Sequence, residues 1–183
     1  MSIIIQSSEL NRLAPGLTSA RCAEITDGLV PALEEFEISI NSARLCACLA
    51  QFAHESVGFR YLRELGGRSY TAKYDFREDL GNHKVGMGYI YRGGGFIQIT
   101  GFTNYKKAGD ALGLDLANDP QLIEDVSIAA RVSCWWWQTH GLNELADVNT
   151  LDNYKKITKR INGGYNGLEG RIRFWETAKT IWN

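Results

Sequence analysis

Apolar residues recur three and four positions apart along most of this chain and strict alternation is rare, so its buried surface has to be assembled mainly from helices. Ser19 to Glu37 reads as a first helical region, interrupted or kinked around Gly28 and Pro31. Asn41 or Ser42 can cap the next helix, in which Leu45, Cys48, Leu49, Phe52 and Ala53 share one face; that stripe predicts a helix crossing the core. From Gly58 to Gly101 the periodicity fades into a stretch rich in glycine and aromatic residues. It is expected to form loops and short turns, with at most a brief strand or hairpin around Ile97 and Ile99. Helical signals return at Thr103 or Asn104, ahead of Tyr105 to Leu112 with Gly113 as the stop. Asp119-Pro120 then opens a longer helix through Ile123, Ile128, Val132 and Trp136 that ends at Gly141. Thr150 precedes another, through Tyr154, Ile157 and Ile161, which stops at Gly163-Gly164, and a last helix runs from about Leu168 to Trp182.

With 183 residues and no internal repeat, one core suffices, and residues 1–183 are expected to form a single domain. Twenty basic against twenty-one acidic residues leave a net charge of −1, so no global field draws the chain to nucleic acid or to an anionic membrane. No stretch approaches the ~20 apolar residues that span a bilayer, so no stable membrane insertion is expected. The N-terminus lacks a basic region leading into a long apolar run, which predicts a protein that starts in the cytoplasm; a monomer is expected. Cys22, Cys46, Cys48 and Cys134 include no C-x-x-C pair and read as reduced core residues.

His54-Glu55 resembles the opening of a zinc-protease helix, yet position 58, where that motif needs a second histidine, is Gly58. His83 and His140 have no ligand-like spacing either, and neither metal nor cofactor is expected. The run Gly93 to Gly95 has no Lys-Ser or Lys-Thr behind it, as phosphate cradling would require. Turn geometry or close approach of a ligand to the backbone explains it better.

Two glutamates stand out by position. Cleavage of a glycosidic bond commonly requires one carboxyl to protonate the leaving oxygen and one carboxylate to activate water or attack the sugar. Glu55 lies at the edge of the apolar stripe, seven residues after Cys48, with Phe52, Phe59 and Tyr61 near in sequence. Burial beside aromatic rings favours the neutral form of a carboxyl, the form a proton donor must hold. Glu64 follows nine residues later, beyond a possible turn at Gly58, where the chain can fold back across a cleft. Two arbitrary glutamates would more often be solvated surface residues, so the pair needs support from elsewhere.

That support is the order of three blocks: Ala53-His54-Glu55-Ser56-Val57-Gly58-Phe59, then Tyr91-Arg92-Gly93-Gly94-Gly95-Phe96-Ile97-Gln98-Ile99-Thr100 with Asn104-Tyr105, then Ile161-Asn162-Gly163-Gly164 with Arg171-Ile172-Arg173-Phe174-Trp175. Together with Ser133-Cys134-Trp135-Trp136-Trp137 before Gly141-Leu142-Asn143, they resemble glycoside hydrolase family 19, the plant-type chitinases and related phage endolysins. The resemblance implies a mainly α, lysozyme-like fold with a sugar-binding cleft and an inverting mechanism. It implies Glu55 as general acid and, by similarity of Arg63-Glu64-Leu65 to the endolysin branch, Glu64 as general base. The plant enzymes carry their second glutamate further along, about where Glu78 stands, which makes Glu78 the rival base.

By the same resemblance, Thr100 would hold the attacking water, and Gln98, Asn104 and Asn162 would hydrogen-bond the sugar. Arg171 would support the base carboxylate, and Tyr91 would line a subsite with its ring. The chain departs at Gly93-Gly94-Gly95, where the family commonly has Gly-Arg-Gly. His54 is expected to make a structural hydrogen bond, and at least one of Trp135 to Trp137 to belong to the core. The expected substrate is the β-1,4-linked glycan of bacterial peptidoglycan, cut by an endolysin without a separate wall-binding domain and carried to the wall by a separate pore-forming protein. Chitin is the alternative substrate, and a non-catalytic wall-glycan-binding protein the alternative class.

Overall fold

The computed structural model describes residues 2–183. Ten helices follow in chain order: α1 Ser7–Leu13, α2 Ser19–Glu35, α3 Ser42–Glu55, α4 Arg68–Thr71, α5 Met87–Ile90, α6 Phe102–Leu112, α7 Val126–Thr139, α8 Leu142–Asp147, α9 Leu151–Asn162 and α10 Leu168–Trp182. The mainly α architecture expected from periodicity is what forms.

At the centre is α3. Asn41 caps it, its side chain accepting from the Arg44 N–H, and every residue from Leu45 to Ala53 is buried. The predicted stripe is therefore only part of what the helix hides. Small residues such as Ala47 and Ala50 let neighbours close in on its other sides, so the helix is enclosed rather than half-covered. On one flank it packs along α10, the most extensive pairing in the fold, and on another against α8. Phe52 stacks on Phe96 at 6.1 Å and meets Trp137 edge-on at 6.2 Å, so the core joins α3, the glycine-rich segment and α7. Of the adjacent tryptophans, Trp137 is the fully buried one, its indole N–H donating to Asn143.

Several boundaries differ from expectation. The first long helix runs unbroken through Pro31, because Pro31 and Asp27, whose carbonyl the proline ring crowds, both face solvent. Gly28 is a contact point instead: a Cβ there would lie 2.8 Å from Val126 Cγ1, so its absence lets α2 and α7 approach. Asp119-Pro120 opens only a 3-10 turn, Pro120–Glu124; Asp125 ends it by accepting the N–H groups of Ser127 and Ile128 and starting α7 afresh. Helix α6 begins at Phe102 behind Gly101, while Asn104 donates back to the Thr100 carbonyl. Helices α1 and α8 lie where no helix was expected.

The glycine-rich stretch forms loops and 3-10 turns as predicted, with the short helices α4 and α5 added to them, and the anticipated hairpin shrinks to two bridges, Arg63 with Gly94 and Gly94 with Ile99. All four cysteines are buried and free.

Candidate active site

The last residue of α3 is Glu55. Directly after it the chain reverses through three consecutive left-handed residues, Val57, Gly58 and Phe59, at φ 55°, 70° and 60°. Ser56 holds this run together: its hydroxyl donates to the Phe52 carbonyl at 2.6 Å and accepts from the Phe59 N–H at 2.9 Å. Its carbonyl accepts from the N–H groups of Arg60 and Tyr61. Phe59 keeps its unfavourable φ because its ring is fully buried edge-on to Phe96 at 5.6 Å. Val57, by contrast, is 56% exposed, and its β-branched side chain has no packing to offset the strain.

Past the turn, Leu62 to Glu64 run beside Gly93 to Gly95, with Gly95 N–H to Leu62 O at 2.9 Å and Glu64 N–H to Gly93 O at 2.8 Å. Arg63 anchors the segment by donating to the carbonyls of Pro120 and Ile90 at 2.7 and 2.8 Å, with its guanidinium over the Tyr105 ring. The glycines are required by space. A Cβ on Gly93 would lie 2.6 Å from Gln98 Oε1 and 3.2 Å from Glu64 Cβ, and one on Gly94 would strike the Tyr105 hydroxyl.

Glu55 and Glu64 thereby line one open recess of about 210 Å³, together with Tyr61, Arg63 and Gln98. Their side chains are 18% and 19% exposed, but their surroundings differ. Glu55 Oε1 accepts from Arg171 Nη2 at 2.5 Å, while its Oε2 has no donor among the described residues. Arg171 is itself 1% exposed; its other nitrogens donate to Gln51 Oε1 and the Asn166 carbonyl, and Gln51 in turn donates to Thr158. Glu64 engages both oxygens. Oε1 accepts from the Tyr74 hydroxyl at 2.9 Å with Lys73 Nζ at 3.9 Å, and Oε2 accepts from the Gly93 N–H at 3.1 Å. Burial, then the hydrogen bond to Glu64 and its charge, push the Tyr74 phenol up, which keeps it a donor.

Gln98 stands in the recess at φ 59°, its amide tied to the Gly95 carbonyl, a strained backbone of the kind held at functional sites. Thr100 donates to the Gln98 carbonyl, and Asn104 to the Thr100 carbonyl, so these three form one chain of contacts. Asn162 is exposed at the end of α9 and does not line the recess, and neither does Glu78, exposed on the 3-10 turn Glu78–Leu80.

Three expectations are corrected by contacts. Arg171 reaches Glu55, not Glu64, because α10 lies along α3 and delivers the guanidinium to the end of that helix. The rings of Phe52 and Phe59 turn into the core onto Phe96, so of the three aromatic neighbours expected only Tyr61 lines the recess, and Glu55 has an arginine beside it. Tyr91 is 8% exposed, edge-on to Phe102 and Tyr105, and its hydroxyl donates to Ala117, which leaves little of its ring to face a sugar.

His54 packs its ring over Gly167 and Gly170, and the ring nitrogens make no hydrogen bond among the described residues, contrary to the side-chain bond expected of it. Burial first, then Arg171 and Arg173, push the imidazole down to about 4. Missed from the sequence were Gln51, which precedes Glu55 by one helical turn on the same face, and Tyr74, which no spacing marks. No cluster of three or more potential metal ligands occurs among the described residues.

Residues 36–150 match the family described as class I chitinase, glycoside hydrolase family 19. A glycosyl hydrolase family 19 domain-containing protein of Haemophilus influenzae is 31% identical over 164 residues, covering 74% of this chain and 78% of that protein. The acidic 27 kDa endochitinase of Solanum lycopersicum is 30% identical over 163 residues, covering 76% of this chain and 63% of its own length. Among solved structures, chitinase C of Streptomyces griseus superposes with a TM-score of 0.78 at 22% identity, over 99% of this chain and 93% of that one, and so shares the fold. With 115 of its 183 residues inside the family's profile and a bacterial relative matched over most of its length, the chain belongs to glycoside hydrolase family 19.

Proposed function

We propose that this glycoside hydrolase cuts the β-1,4-linked glycan of bacterial peptidoglycan as an endolysin, using Glu55 as general acid and Glu64 as general base in an inverting reaction. The observation that carries the mechanism is that the two carboxylates line one recess in opposite settings. Arg171 fixes Oε1 of Glu55 and leaves Oε2 without a donor, so one oxygen orients the group while the other is available to hold and release a proton. Glu64 is ringed by Tyr74, Lys73 and the Gly93 N–H, all donors, an arrangement suited to a group that accepts a proton from water. An inverting pair stands roughly 6.5–9.5 Å apart so that a water fits between. Thr100 donates to the carbonyl of Gln98, which lines the recess, and this tie supports the reading in which Thr100 positions the water. Gln98 in the recess is assigned to the sugar there, and Asn104 and Asn162, which do not line the recess, to sugar units beyond it.

The substrate assignment rests on the likeness of the segment Arg63-Glu64-Leu65 to the endolysin branch. Purified protein added to outer-membrane-permeabilised bacteria is expected to lower their turbidity, and mass spectrometry of the released muropeptides then identifies the bond from the new reducing end. An unchanged turbidity overturns the assignment. In this reading the enzyme acts as a monomer, accumulates in the host cytoplasm and reaches the wall through a pore made by another protein.

A second reading keeps the chemistry and changes the polymer. The plant relatives, including those of tomato and petunia, are described as endochitinases, which favours chitin. Soluble products from chitin oligomers, with none from wall glycan, would select it.

A further inference from the structure

Beside the recess lies a larger depression of about 620 Å³ that shares Val57 with it. Pro15 and Phe174 line both it and an adjoining hollow of about 400 Å³, and the two neighbouring depressions make up a groove that Glu55 itself does not line. Its floor is apolar. Its charged lining is of one sign: Arg60 in the first part, Arg12 and Arg173 in the second, and no carboxylate in either.

All three arginines are exposed, and none has an acidic partner among the described residues. This is an uncompensated cationic strip on a chain whose net charge is −1. Arg60 is laid across Gly16, donating weakly to its carbonyl at 3.4 Å, which aims the guanidinium along the groove. The remaining titratable lining residue, His54, is held neutral near pH 7, so it neither relieves nor adds to the charge.

We propose that this groove receives the stem peptide of the wall glycan, with Arg60 and Arg173 pairing with peptide carboxylates and the apolar floor taking alanine methyl groups. The inference rests on peptidoglycan being the substrate. A stem peptide hangs from every second sugar, carries free carboxylates and small apolar side chains, and leaves the strand beside the bond being cut. Chitin has no such substituent and gives the arginines nothing to bind. Charge and shape complementarity thus make the groove a specificity element for substituted glycan, separate from the carboxylates that perform the chemistry.

The test compares intact sacculi with sacculi stripped of stem peptides by an amidase. For the double variant Arg60→Glu, Arg173→Glu, kcat/KM on intact sacculi is expected to fall about tenfold, with an unchanged rate on stripped glycan. A soluble stem tetrapeptide should shift amide NMR signals around the groove in the wild type, and its carboxyl-amidated form should not. Should the double variant fold poorly, the single exposed substitution Arg60→Gln is read against the same two substrates. Equal effects on both substrates, or none on intact sacculi, overturn the groove assignment. If the wild type cleaves neither form of wall glycan but does cleave chitin oligomers, the substrate reading is what fails.

Discussion

Replacing Glu55 in two ways separates its chemical role from its structural one. Glu55→Gln keeps an amide oxygen where Oε1 accepts from Arg171 and removes the proposed proton donor; Glu55→Ala removes both. Rates for either variant should fall about 100- to 10,000-fold, the usual contribution of a positioned acid. Stability should distinguish them. Breaking a buried ion pair from one side costs about 3–5 kcal/mol, chiefly because the other charge is left buried alone. Here the stranded group is Arg171, 1% exposed, which retains Gln51 and the Asn166 carbonyl as acceptors. Water can also enter where Glu55, 18% exposed, has been cut back, so about 2–3 kcal/mol is expected for alanine. For glutamine only the charge assistance is lost, about 1 kcal/mol. At roughly 2–4 °C per kcal/mol for a chain of this size, alanine should lower the melting midpoint by about 4–12 °C and glutamine by about 2–4 °C. Calorimetry and a turbidity assay on the same preparations read both effects. A glutamine variant with near wild-type lysis removes Glu55 as the acid. Identical midpoints for the two variants refute the argument from the buried guanidinium.

Gly93→Ala should keep the fold yet slow turnover by about 10- to 100-fold, since the new methyl pushes Gln98 and Glu64 out of place; a full rate on purified substrate would contradict this. Val57→Asn, at an exposed φ of 55° that asparagine tolerates far better than valine, should raise the melting midpoint by about 2–4 °C for ~1 kcal/mol of relieved strain, and a lower midpoint would argue against strain there. His54 is pushed down to about 4 in the fold, against ~6.5 unfolded. Between those values the unfolded chain binds the extra proton, so the histidine's contribution is present above pH 6.5 and is lost as pH falls toward 4. Denaturant titrations should show the stability gap between wild type and His54→Gln narrowing by about 1–2 kcal/mol across that window, after allowance for partial solvent screening. A constant gap would refute it.

What could be read in advance followed local rules. Asn41 and Thr150 sit where N-caps belong, and each accepts a backbone N–H three residues on; Gly113 and Gly163 stop their helices in the left-handed conformation. Glu55 was legible because it ends a strongly patterned helix, and Glu64 because the segment Arg63-Glu64-Leu65 resembles a family branch. What was not legible depended on tertiary contact. Pro31 stays inside a helix because its crowded side faces water, and Asp125 restarts a helix because two amides needed an acceptor. Arg171 was assigned to the wrong carboxylate because no periodicity says which flank of α3 a helix 116 residues distant will cover. Tyr91 reads as a sugar platform by motif and is a core residue by packing.

The guanidinium that orients Glu55 comes from the last helix, while both carboxylates lie within the first 64 residues. A nascent polypeptide that has emerged only as far as residue 160 already contains the proposed acid and base but not the group that aims the first of them. Competence in this enzyme is therefore coupled to the docking of its final segment against α3, and a ribosome-bound or prematurely ended product would be inert toward any glycan it met.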